Sequence, residues 1–262
     1  MEEKIIQCKG CSKESYDTIP TARIIAKLDE HFAKNDLDSV GRLLEYWDRE
    51  ARNLGDFRGL LEILNEKIGY YRRTGDAERA LGAVNEAFCI IEQHELGNLL
   101  SSGTIYLNGA TTMKAFGKAA QAMEYYSKAK SIYDKHLSPN DYKMAAYYNN
   151  ISSAYVDLGD RDSAINAGIC AIEILEKHGD CCGEIAVTLV NLAHIYYSAD
   201  PCDERVYKNM ERAWVLLSSN DNVHDGNFAF LCSKCYPAFA YFGYFEYEKK
   251  IKELMEKIYA GN

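Results

Sequence analysis

Apolar side chains recur along this chain at the three- and four-residue steps of a helix, in blocks separated by turn residues. Between positions 145 and 178, Tyr148, Ser152 and Tyr155 fall at i, i+4 and i+7, which predicts one face of a helix. After Leu158-Gly159-Asp160 the spacing returns as Ala164, Gly168, Ala171 and Leu175. Gly159 suits a left-handed backbone at the end of the first helix, and Asp160 suits the cap of the second. Small side chains on the second face let two helices approach closely. The block predicts a helix-turn-helix hairpin.

The hairpin repeats. Gly75, Gly117, Gly159 and Gly243 lie on a 42-residue grid, with Pro201 in the fourth slot. Ala80, Ala122 and Ala164 follow at +5, and Ala87, Ala129, Ala171 and Ala213 at +12. First-helix faces read Leu64-Ile68-Tyr71, Tyr106-Ala110-Met113, Leu189-Ala193-Tyr196 (slipped by one) and Cys232-Tyr236-Phe239. Self-similarity at such a period signals a repeat array. Asn35-Asp36 with Val40, Leu44 and Trp47 predicts a degenerate first hairpin. About six hairpins follow, near 18–54, 57–97, 99–139, 141–181, 183–221 and 225–262. The expected organisation is a flexible tail over 1–17 and one all-α domain over 18–262.

The sequence of large residue, small residue, Tyr, Gly-Asp and two spaced alanines resembles the tetratricopeptide repeat. Its 42-residue form, with Asn-Asn-Ile or Asn-Leu in the first helix, is similar to the repeats of kinesin light chains and bacterial relatives. The resemblance is strongest from 60 to 218 and implies a right-handed α-α superhelix, a TPR solenoid. Pro201 at a glycine slot and Glu248 at an alanine slot depart from it. A HEAT-like array shares the period, but the Gly-x4-Ala-x6-Ala spacing favours the tetratricopeptide form.

Composition narrows the function. A formal net charge of -9 argues against general nucleic-acid binding, which draws on Lys and Arg at phosphates. The longest apolar runs are too short for a membrane span, and the charged start lacks a signal-peptide core. Nine cysteines without a regular framework suit reduced thiols and a cytoplasmic location.

Candidate chemistry is sparse. His94, His136 and His178 lie on the grid at the ends of second helices, where a cation suits the helix dipole. Neighbouring copies are about 8–10 Å apart, too far for one zinc ion. Cys8-x-x-Cys11 and Cys232-x-x-Cys235 are separated by the whole array, and Cys232 occupies a core slot. No metal site, cofactor or catalytic motif is expected, and the chain reads as a non-enzyme.

In tetratricopeptide arrays the first helices line a concave face. Asn108, Asn150 and Asn191 share a slot there, and Asn65 and Asn149 precede it by one. The family analogy implies that such amides bond a bound peptide's backbone, for which an amide has donors and an acceptor. Thr111, Ser153 and His194 follow one turn on, and Arg72, Arg73 and Lys114 add positive charge. The expected partner is a protein or peptide segment, acidic or C-terminal in character. Whether the chain is a monomer or a homodimer stays open. Alternatives are a self-assembling scaffold, a bacterial signalling or regulatory role, and a thiol or metal sensor built on Cys8 and Cys11.

Overall fold

The computed structural model describes residues 17–219 and 222–260, which form twelve α-helices and no strand. They are α1 (Thr21–Ala33), α2 (Leu37–Leu54), α3 (Phe57–Thr74), α4 (Ala77–Gln93), α5 (Leu100–Ala115), α6 (Ala119–His136), α7 (Tyr142–Asp157), α8 (Arg161–Leu175), α9 (Cys182–Ala199), α10 (Glu204–Leu217), α11 (Gly226–Tyr241) and α12 (Phe245–Ala260). Consecutive helices pair into six hairpins that stack into an all-α superhelix. The degenerate first hairpin is α1–α2, turned by Asn35 at φ 54°. Cys8 and Cys11 lie outside the described residues.

Local chemistry sets the hairpins. Gly159 ends the first helix of its unit at φ 77°, a conformation that costs a residue with a Cβ. Asp160 then accepts a hydrogen bond from the Ser163 backbone at 3.1 Å and starts α8. Asp36, Asp56 and Asp76 do the same for α2, α3 and α4.

Small residues fix how closely helices approach. Ala80, Ala122, Ala164 and Ala213 are completely buried. A Cβ at Gly168 would lie 2.8 Å from Leu192 Cδ2, and one at Gly109 would lie 2.4 Å from Phe88 Cζ. Cys232 and Cys235 are completely buried on α11. Burial pushes the Cys232 thiol up to about 12, away from a reactive thiolate.

One polar knot sits inside this packing. Lys67 of α3 is buried and donates to Asp48 Oδ2 of α2 at 2.8 Å, with Glu45 3.4 Å away. Arg52 also holds Asp48, at 2.9 Å. The knot fixes the second hairpin on the first.

The histidine ladder bonds between units. His136 Nε2 meets the Asn98 carbonyl, and His178 Nε2 the Asn140 carbonyl, each at 2.8 Å. His94 instead stacks on Phe57, with centroids 3.9 Å apart. The expectation of helix-end residues is met in position by two of the three, since His136 ends α6 and His94 caps α4, whereas His178 lies two residues beyond the Glu176 cap of α8. The recorded bonds reach carbonyls of the loop one unit back rather than those of the same helix.

The array also meets its own beginning. First helices pack side by side along the inner face, and α1 touches α11 of the last hairpin as well as α3. A Cβ added to Gly226 would lie 2.2 Å from the Ala33 carbonyl oxygen, so the two backbones are in close contact. Arg73, at the end of α3, lies 5.5 Å from the Phe32 ring of α1 and 4.7 Å from the Phe230 ring of α11. It also donates to Asn35 Oδ1 at 2.8 Å. The end of α1 therefore meets the start of α11, a staggered closure like that of a lock washer.

Candidate functional site

The inner face is built from one stripe of each first helix. On α3 the stripe carries Glu62, Asn65, Glu66, Arg72 and Arg73, spaced at three, four and seven residues. On the strict 42-residue grid Glu66, Asn108, Asn150 and Lys234 share one slot, and α9 offers Asn191 one residue before it. These positions define a row across the face.

Most of the row is internally bonded. Asn108 Nδ2 donates to Asn65 Oδ1 at 2.8 Å, which joins α5 to α3. Asn150 Nδ2 donates to the Ala146 carbonyl of its own helix at 2.8 Å. Asn149 Oδ1 accepts from Thr188 at 3.3 Å. Thr111 donates to Leu107 O and accepts from Tyr126, whose hydroxyl also faces the Asn150 carbonyl at 3.5 Å. Burial pushes the Tyr126 hydroxyl up to about 12, so it remains a donor. Asn191 differs: its side chain is exposed and has no hydrogen bond to the described residues.

The cations divide as well. Lys114 lies 3.5 Å from Asp157 Oδ2, so its charge is compensated across α5 and α7. Arg72 donates through Nη1 to Asn108 O at 3.2 Å and to Thr112 Oγ1 at 2.9 Å. Both acceptors are neutral, and burial holds the Arg72 guanidinium below its ordinary pKa. Arg73 is placed at the closure described above.

Four of the expected residues meet in one cleft of about 570 Å³ between α5, α7 and α9. Lys114, Ser153, Asn191 and His194 line it, with Asp157 and Arg161. His194 packs against Tyr241 and Phe242, with ring centroids 5.1 and 4.8 Å away. Burial lowers its imidazole pKa from 6.5, so it is neutral at pH 7 and offers one donor and one acceptor. Asn65, Arg72, Arg73, Asn108, Thr111, Asn149 and Asn150 lie outside this cleft.

A second cleft, of about 500 Å³, opens at the closure itself and is lined by Asp29, Phe32, Glu66, Tyr70, Arg73 and Phe230 among others. Burial, and then Asp29, push the Glu66 carboxyl up. Sequence reasoning missed this cleft and missed Lys234. The grid did carry Lys234, two periods after Asn150. Nothing in the periodicity announced that α11 would fold back to α1.

No cluster of three or more His, Cys, Asp or Glu suited to a metal ion occurs among the described residues. None of their helices is long and apolar enough to cross a membrane.

The geometry defines a class: an α-solenoid of six tetratricopeptide-like hairpins. Solved structures agree. BtubC (BKLC) from P. vanneervenii is similar over 76% of this chain and 91% of its own, at 19% identity and a TM-score of 0.55. A putative kinesin light chain from Podosopora anserina with nearly identical TPR-like repeats is similar over 77% of this chain and 95% of its own. Its identity is 16% and its TM-score 0.52, and a point variant of that protein scores 0.53. Neither a protein-family model nor a curated protein matches the chain. The fold is that of kinesin-light-chain-like tetratricopeptide arrays.

Proposed function

We propose that this chain is a non-enzymatic, cytoplasmic binding module that takes an extended protein or peptide segment along its inner face. The observation that carries this reading is the cleft of Lys114, Ser153, Asn191 and His194. It combines an amide free of internal bonds, a hydroxyl and a neutral imidazole, a set that matches the alternating donors and acceptors of an extended backbone. The bonds within Asn65–Asn108 and Asn150–Ala146 hold the neighbouring stripes in place. A segment with an acidic end would run toward Arg72 and Arg73.

The test begins by capturing segments from a native lysate and identifying them by mass spectrometry. Binding of the captured segment is then measured by calorimetry. Asn191→Ala should weaken it about tenfold, the equivalent of about 1.4 kcal/mol, with an unchanged melting temperature. An affinity indifferent to Asn191→Ala together with Ser153→Ala would remove this reading.

Self-assembly is the second reading, favoured by Tyr207, Tyr241 and Phe245, which are 62%, 62% and 66% exposed on the last two hairpins. Light scattering separates the two: a dimer lost on Tyr241→Ser with Phe245→Ser favours assembly, and a monomer favours segment binding.

A further inference from the structure

Arg73 and Lys234 meet where the superhelix closes, with Arg72 beside Arg73 on α3, and none of the three is in an ion pair among the described residues. Arg72 and Arg73 end α3, and Lys234 lies midway along α11. The Arg73 guanidinium carbon and Lys234 Nζ each lie 4.7 Å from the centroid of the same Phe230 ring. Lys234 is an exposed residue, yet partial burial of its ammonium, and then Arg72 and Arg73, lower its pKa.

Among the described residues, no carboxylate lies within ion-pair distance of any of the three. Arg72 meets only a carbonyl and a hydroxyl. Arg73 meets the Asn35 amide oxygen and the Tyr259 hydroxyl, which are neutral as well. Lys234 Nζ has no hydrogen-bond acceptor there, only the Phe230 ring. Elsewhere in the fold Arg52, Lys67 and Lys114 each have a carboxylate. One cation would satisfy the face of Phe230, so packing does not account for the second.

We propose that Arg72, Arg73 and Lys234 form a binding site for a phosphate monoester, assembled by the closure of α11 on α1 and α3. Charge selects this ligand. A single carboxylate would leave two of the three positive charges uncompensated. A phosphate monoester, with a charge of about −1.5 to −2 near pH 7, leaves about one. Guanidinium groups match phosphate oxygens with their planar fork, and the ammonium acts as a point charge. The cleft beside Arg73 has room for an attached organic group against Phe32, Tyr70 and Phe230. Asp29, Glu66 and Asp225 line the same cleft, so the phosphate has to sit on the cations and the group attached to it has to carry no further negative charge. The phosphate could arrive on a free small molecule or on a side chain of a bound segment. The site shares Arg72 and Arg73 with the segment reading, but Lys234 belongs to this site alone.

The full chain is melted and titrated with inorganic phosphate, phenyl phosphate, and a phosphoserine peptide beside its unphosphorylated twin, against chloride at matched ionic strength. Phosphate ligands should raise the melting temperature where chloride does not. Lys234→Gln should weaken phosphate binding at least tenfold, and Lys234→Arg should restore most of it. Without phosphate, Lys234→Gln should melt no lower than the parent, because it removes like-charge repulsion. Tighter binding of phenyl phosphate assigns the small-molecule source, and tighter binding of the phosphopeptide assigns the segment. Phosphate acting only as chloride does would overturn the proposal. So would a Lys234→Gln variant that melts lower in phosphate-free buffer, since Lys234 would then serve packing alone. Segment capture that persists in Lys234→Gln, with no phosphate effect, sinks this site and leaves the segment reading standing.

Discussion

Gly226→Ala tests the closure directly. The new methyl carbon would sit 2.2 Å from the Ala33 carbonyl oxygen and 2.4 Å from its Cα. Ordinary contact begins near 3.4 Å, and the obstructing atoms are backbone, so no side chain can swing aside. Either α1 or α11 must shift by about an ångström, at the overpacking cost of about 1–3 kcal/mol. For a domain of this size that is a fall of about 2–12 °C in melting temperature. Gly82→Ala is the matched control. It lies in the interior of α4 with nothing within 4 Å of its added Cβ. There the exchange gains helix propensity, about 0.5–1 kcal/mol, and should raise the melting temperature by about 1–4 °C. Calorimetry reads both, and small-angle scattering should show a larger maximum dimension for Gly226→Ala alone. If Gly226→Ala melts at or above the parent with the same scattering curve, α11 does not rest on α1 and the reasoning fails.

Other perturbations probe the interior. Lys67→Met strands Asp48 with Arg52 as its only cation, and should cost about 3 kcal/mol, at the low end for a broken buried pair; urea titration measures it. Glu66→Gln should raise the melting temperature at pH 7. Its folded carboxyl pKa is raised above 4.5, so the parent's stability contribution is complete below that pH and is lost as pH rises through the folded pKa. The gain from Gln should vanish below about pH 4.5, and a gain that is the same at every pH would contradict a titrating cause. Among the described cysteines, iodoacetamide should label exposed Cys89 and Cys202 well before buried Cys181, Cys232 and Cys235, as read by peptide mass mapping.

The hairpins were legible because their causes are local. Gly159, Asp160, Ala164 and Ala171 act within one unit, and the 42-residue grid repeats them. Cys232 was legible as a core residue for the same reason. The first hairpin could be read from Asn35-Asp36 although it lacks the turn glycine. The state of the inner face was harder to read. Whether Asn108 spends its amide on Asn65, or Lys114 its charge on Asp157, depends on side-chain torsions across neighbouring helices. The closure was hidden because it joins Ala33 to Gly226, a pairing that no short-range period encodes.

Open repeat arrays contact only nearest neighbours, and so they fray from their ends. The staggered meeting of the first and last hairpins removes that freedom. Where they touch, α1 and α11 cover part of each other, and loss of either uncovers that part of both. Amide exchange should therefore find α1 and α11 opening together.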